Sequence, residues 1–329
     1  MKQIILLFLL FISGQTFGQN YIDYQKVFNR IDDDVLSKNY TLAIERLDSI
    51  YGNYEFIFAK HCIKALQICS TINDSINADK WLSKCFKQGI PLWIIRTNDL
   101  TKKSLLYETT QNTIQKYDSL YTIYKSSINV KLSKQIDSLI EIDQTHTIKM
   151  NDGFSLFRRT IYTWKWLNNN KRQYVVLKNI IEKYGYPGER LIGLDPQYND
   201  SAAFVKTIFY YGPVLIETRT YTMLLHCYSS PRKDINDKLF ENLKNGNILP
   251  YQFGVINDFL AYWEKRKVGD YQYYNVANRN ANNENIQEIN IRRHSIGLDK
   301  YEHQVRIKLL SRERRKNKKA NSEIILEWL

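Results

Sequence analysis

Proline and glycine are scarce in this chain, 6 and 13 among 329 residues. With so few breakers and apolar spacing that stays helical nearly throughout, the sequence predicts an all-α fold. Only four cysteines occur, Cys62, Cys69, Cys85 and Cys227. None forms a Cys-x-x-Cys pair, so zinc-ribbon and thioredoxin-type chemistry lack support. The five histidines, His61, His146, His226, His294 and His303, include no pair at His-Glu-x-x-His spacing. There is no acidic calcium loop, no Gly-x-Ser-x-Gly elbow and no glycine-rich phosphate cradle. No metal and no cofactor is therefore expected.

What is present begins with a leader. Met1-Lys2-Gln3 gives a positive start, Ile4 to Ile12 is an unbroken apolar run, and Thr16-Phe17-Gly18 places small residues where a signal peptidase reads. This is the three-part pattern of a secretory signal over residues 1–18. The apolar run is about half of the ~20 residues needed to cross a bilayer, which argues against an anchor. A lipoprotein needs cysteine at the cleavage point, and the first one is Cys62. The expected location is periplasmic or secreted, with no transmembrane segment after cleavage.

Export permits disulfides, but Cys62 and Cys69 are seven residues apart in a helical pattern. That puts them about 10 Å apart along the axis, too far to bridge. Either can meet Cys85 only if its helix packs antiparallel on theirs. The plainer reading is small apolar residues in a helical core.

The formal charge of +13 is unevenly spread. Arg306 to Lys319 holds eight basic residues and one acid. Arg312, Arg314, Arg315, Lys316, Lys318 and Lys319 are thus candidates for contact with phosphates, such as those of an anionic membrane surface. Export leaves nucleic acid outside the routine partners.

The clearest internal signal is a repeat. Ala43, Leu47 and Ile50 are spaced at i, i+4, i+7, and Ala78, Leu82 and Cys85 restore that spacing 35 residues later, before Pro91. A small residue where two helices approach, then large and small, then proline, is the pattern of the second tetratricopeptide helix. Leu66 stands where the first helix usually has glycine. The organisation expected is tetratricopeptide-like hairpins over 19–95, connecting helices over 96–150, a mostly helical domain over 151–305 and a basic tail over 306–329. In the second half, separate helices are predicted at 154–167 and 173–183, and only 271–276 reads as extended.

Three stretches carry a resemblance. They are Leu139-Ile140-Glu141-Ile142-Asp143-Gln144; Ile181-Glu182-Lys183-Tyr184-Gly185-Tyr186-Pro187 with Leu225-His226 further on; and Gln272-Tyr273-Tyr274 with Ile291-Arg292-Arg293. Together, from Leu139 to Tyr301, they resemble a bacterial domain family of unknown function that often follows tetratricopeptide-like repeats. The resemblance implies recurring polar positions at Asp143, Gln144, His226, Asp258, Gln272, Tyr274 and Arg293. Thr147, Phe259 and Asn275-Val276 depart from that family's pattern. Asp143 and His146, one helical turn apart, offer a further acid–base pair.

Two functions follow as expectations. The first is a non-catalytic scaffold that binds a protein or peptide through its hairpins. The alternative is a hydrolase-type enzyme with a pocket around Asp143, His226, Tyr274 and Arg293.

If the leader is read correctly, protein recovered from the native host begins at Gln19. Intact mass and N-terminal sequencing check this, and a retained Met1 would remove the export reading.

Overall fold

The computed structural model describes residues 19–107, 109–151, 156–195, 215–227, 234–264, 273–276, 286–316 and 324. Among them lie fifteen α-helices and no β-strand. No helix of these residues is long and apolar enough to cross a membrane. The leader at 1–18 falls outside the described residues.

Helices α1 (Tyr21–Leu36) and α2 (Tyr40–Asn53) form one hairpin, and α3 (Ala59–Thr71) and α4 (Ser75–Lys87) form the next. Their turns are built alike. Lys38 and Asn73 take positive φ, 58° and 57°, which releases the chain from the first helix. Asn39 and Asp74 then cap the second helices, accepting from Leu42 N at 3.4 Å and Asn77 N at 3.1 Å. The amides of Asn39 and Asp74 reach back to Asp34 O and Cys69 O, at 2.8 and 3.0 Å. Every one of these positions recurs at the interval of 35 that relates Ala43 to Ala78. Ala43, Leu47, Ile50, Ala78, Leu82 and Cys85 are all buried, as is Leu66. The four cysteines are buried free thiols.

Helix α3 is covered on nearly every side; ten of its thirteen residues from His61 to Ser70, together with Ala59, are buried. Its own N-cap, Phe58, provides no side-chain bond. The cap comes from far along the chain, where the Glu189 carboxylate accepts from Ala59 N at 2.7 Å. Further contacts close the same seam: Asn29 donates to Gly297 O at 2.9 Å and Arg190 pairs with Glu55 at 2.9 Å. The apolar cores interlock as well. Leu194, Leu215, Leu249, Ile307 and Ile324 join the core around α1–α4, while Ile22 of α1 belongs to the second core.

From α4 the chain passes through α5 (Leu92–Thr97), α6 (Asp99–Ser104) and α7 (Thr110–Ser127) to the long pair α8 (Val130–Asn151) and α9 (Leu156–Tyr184). These two pack antiparallel: Trp166 bonds to Asp143, and Gln173 to Leu139 O. The hairpin therefore straddles the Asn151-Asp152-Gly153 break at which the sequence suggests a boundary. Two separate helices were expected where α9 is continuous. Asn168-Asn169-Asn170 is polar but contains no proline or glycine, and Asn170 turns inward and is buried.

The remaining helices are α10 (Glu189–Ile192), α11 (Arg219–Cys227), α12 (Asn236–Lys244), α13 (Pro250–Glu264), α14 (Ile286–Ser295) and α15 (Tyr301–Lys316). Residues 273–276, expected to be extended, instead bend around the Asp258 carboxylate, with Asn275 at φ 51°. The basic stretch does not start at a boundary either. Arg306 lies within α15, and its neighbour Ile307 is buried in the first core.

Two outcomes follow. Ala78→Leu should overpack the α3–α4 hairpin and cost about 1–3 kcal/mol, read from the denaturation midpoint; an unchanged midpoint would contradict close helix contact there. The second concerns pH. Burial raises the Glu189 pKa to about 8, against the lowering effects of the Ala59 amide and Lys60 and with a small raising effect from Glu217. The folded chain thus keeps a proton that the unfolded chain releases near pH 4.5. Its contribution is full below that pH and is lost as pH climbs toward about 8. Glu189→Gln keeps an oxygen for Ala59 N and removes the titration. Urea melts between pH 5 and 8 should show a shallower decline in the variant, and parallel curves would disprove the assignment. Some decline should persist, because burial also lifts Glu217 to about 7.

Candidate functional site

Helices α8, α9 and α11 meet around one carboxylate. Asp143 is completely buried, at 0% exposure, and both of its oxygens are engaged. Oδ2 accepts from His226 Nδ1 at 2.7 Å and from Gln144 Nε2 at 3.0 Å. Oδ1 accepts from Trp166 Nε1 at 3.2 Å, and the Asn170 amide, with its nitrogen turned inward, donates to the same oxygen at 3.2 Å. The His226 side chain remains 26% exposed, and the Trp166 ring meets it edge-on with centroids 5.3 Å apart. A histidine held through Nδ1–H by a buried carboxylate has its tautomer fixed and its lone pair on Nε2. That is the arrangement of an oriented general base.

A groove of about 560 Å³, lined by neither Asp143 nor His226, opens between α8 and α11. Asp137, Glu141 and Gln144 line it from α8, and Arg219 and Thr222 from α11, with Asp195 and Thr218 completing the wall. Gln144 belongs both to the groove and to the Asp143 centre, and His226 follows Thr222 by one helical turn. The groove is acidic. Its single guanidinium, Arg219, is buried and bound to Glu217 at 2.9 Å, Asp137 at 2.6 Å and Ser133 at 3.1 Å. Burial works against that charge, but Glu217 and Asp137 outweigh it and hold the Arg219 pKa above its ordinary value. Burial likewise lifts Glu217 to about 7, although Arg219 pulls it down. Among the described residues, no group of three or more His, Cys, Asp or Glu side chains is placed to hold a metal ion.

The other sequence candidates assemble elsewhere. Asp258 Oδ1 accepts from the amides of Tyr274 and Asn275, at 2.6 and 3.2 Å, and Oδ2 from Val276 at 2.6 Å. Arg293 is buried and donates to Tyr274 O at 2.9 Å, Asp299 O at 2.6 Å and the Gln304 side chain. Burial lowers its pKa to about 10, with Asp258 among the groups opposing that change. These bonds fasten residues 273–276 to α13, α14 and α15. Gln272 lies outside the described residues. So do Lys318 and Lys319; α15 carries the backbone of Arg312, Arg314, Arg315 and Lys316, whose side chains are not described.

The seven named positions therefore divide: Asp143, Gln144 and His226 meet, Asp258, Tyr274 and Arg293 form a separate network, and Gln272 is not among the described residues. The carboxylate's partner is His226, 83 residues away, not the adjacent-turn His146. Trp166, Asn170 and Arg219 were not anticipated. The single local signal is the run of polar residues 168–170, which falls between the two helices expected there and of which Asn170 is a donor.

No family model matches the chain, and no curated protein and no solved structure matches it either.

Proposed function

We propose that this chain is a hydrolase-type enzyme in which His226 is the general base and Asp143 positions it. The observation that carries the reading is the 2.7 Å contact between a fully buried carboxylate and a ring that stays partly exposed, one helical turn beyond Thr222 of the groove wall. In the reaction, His226 Nε2 takes a proton from a water molecule, whose oxygen adds to the electrophilic centre of the substrate. The leaving group departs with the proton returned by the imidazolium. Trp166 and Asn170 keep Asp143 in its acceptor role throughout. The acidic wall of Asp137, Glu141 and Asp195 favours a small polar substrate that carries positive charge or hydrogen-bond donors. We place the reaction in the exported compartment that the leader implies, and relate residues 139–301 to the resembled family on the motifs already quoted.

The scaffold reading has one observation in its favour, the recurrence at 35 residues of both turn and packing positions. Tetratricopeptide-like hairpins bind partners on the face of their first helices. Here α1 and α3 are those helices, and the chain's own second half covers them. Ile76, the most exposed apolar residue of the hairpins at 82%, lies instead at the N-terminal end of α4.

The test starts from a panel of chromogenic esters, amides, phosphates and glycosides, from which a turnover is taken. His226→Gln should lower kcat by about 10²–10⁴, the usual contribution of a positioned base. Asp143→Asn should lower it as well, while ¹⁵N NMR of the wild type shows His226 protonated on Nδ1. Turnover that survives His226→Gln, or a His226 protonated on Nε2 alone, would overturn the proposal.

A further inference from the structure

Helix α9 has two faces that meet different surroundings. Trp166, Asn170 and Gln173 point toward α8, where they bond to Asp143 and Leu139 O. Phe157, Ile161, Trp164 and Val175 fall within about 40° of one line on the opposite side, given 100° per residue. All four are exposed, Phe157 by 78% and Trp164 by 65%. Thr160, Thr163 and Leu167 form with Trp164 and Arg159 a shallow open depression of about 520 Å³ on one flank of this line.

The charge of the segment is one-sided. From Leu156 to Gln173 there are five Lys or Arg residues and no Asp or Glu. Lys165, Lys171 and Arg172 are exposed along the apolar line or its flank, and Lys165 Nζ lies 5.3 Å from the Tyr162 ring centroid. An apolar strip led by Trp and Phe, with cations and no carboxylate between Leu156 and Gln173, is the composition that settles at a lipid–water interface. No described helix is long and apolar enough to cross a membrane, so contact through this face would be parallel to the surface. An acidic protein surface would match the cations but would leave Phe157 and Trp164 without the apolar layer that a bilayer supplies.

We infer that the outer face of α9 is a docking surface for an anionic lipid bilayer, with Phe157 and Trp164 entering the interface and Lys165, Lys171 and Arg172 contacting headgroup phosphates. The inference is independent of the catalytic reading and of the basic stretch in α15.

The experiment is co-sedimentation of the full mature chain with phosphatidylglycerol–phosphatidylcholine vesicles, compared with phosphatidylcholine alone. Trp164→Ser should weaken binding to anionic vesicles by about tenfold, the loss of one interfacial aromatic. Substituting Lys165, Lys171 and Arg172 together with Gln should weaken it by about a hundredfold at low salt, and by much less at high salt. Because these side chains are exposed, circular dichroism and melting should be unchanged. Lys318→Gln with Lys319→Gln should leave most of the binding intact. Three results would overturn the inference: both α9 variants binding like the parent, binding that follows Lys318 and Lys319 instead, or a parent dimer that Trp164→Ser dissociates without any lipid effect.

Discussion

Helix α3 must be buried on all sides although its sequence includes His61, Lys64 and Gln67, and the rest of the molecule is arranged to meet that demand. Lys64 is fully buried and pairs with Asp32 of α1 at 2.6 Å. Removing one partner of such a pair typically costs about 3–5 kcal/mol, several times the ~1 kcal/mol of a helix cap. His61 is held by the Tyr24 hydroxyl at 2.7 Å and stacks on Phe28 with centroids 3.8 Å apart. One side of α3 is thus fixed against α1, and its N-terminus waits for an acceptor that the hairpins do not contain.

Glu189 supplies that acceptor, and the segment around it carries the constraint to the candidate site. Three residues beyond α10's start, Ile192 ends the helix, and Gly193 turns at φ 76° beneath the Tyr124 hydroxyl, where a Cβ would come within 2.2 Å. Leu194 N then donates to Tyr124 at 2.8 Å. Arg219, at the start of α11, fastens that helix to Asp137 and Ser133 of α8. With α11 anchored at its first residue, His226 is carried two turns along to the level of Asp143. Arg219 also reaches Gly193 O at 3.5 Å, so the segment that begins at Glu189 is joined to the helix that carries His226.

How much of this was legible differs by distance along the chain. Caps, turns and buried positions of the two hairpins could be read from local pattern, because Asn39, Asp74, Ala43 and Ala78 act within a few residues of where they stand. Asp143 and His226 were named through the resemblance, but no local feature joins positions 83 residues apart. Trp166 and Asn170 were not legible because the same triple asparagine that signals a break in isolation is neutralised when one amide finds a buried carboxylate. Residues 273–276 misled for a related reason: β-prone Tyr and Val are bent by three amides converging on Asp258, a tertiary bond that overrides propensity.

The two polar centres draw on similar residue types yet differ in what they leave unused. In the Asp258 network, Arg293 is 1% exposed and donates to two backbone carbonyls and a side-chain amide, while Asp258 accepts three amides. Its bonding capacity is spent on holding the chain. At the Asp143 centre the carboxylate is similarly saturated, but His226 is secured through one nitrogen and the ring remains partly exposed. Reactive capacity is left only where one member of a network is anchored by half of its valence. The anchor of that member is Asp143 of α8, held in turn by Trp166 and Asn170 on the inner face of α9, and the outer face of α9 bears Phe157 and Trp164. Under the two proposals, this helix of 29 residues would hold the base's partner on one side and meet a surface on the other, and so would present the groove above that surface with no hinge needed between docking and chemistry.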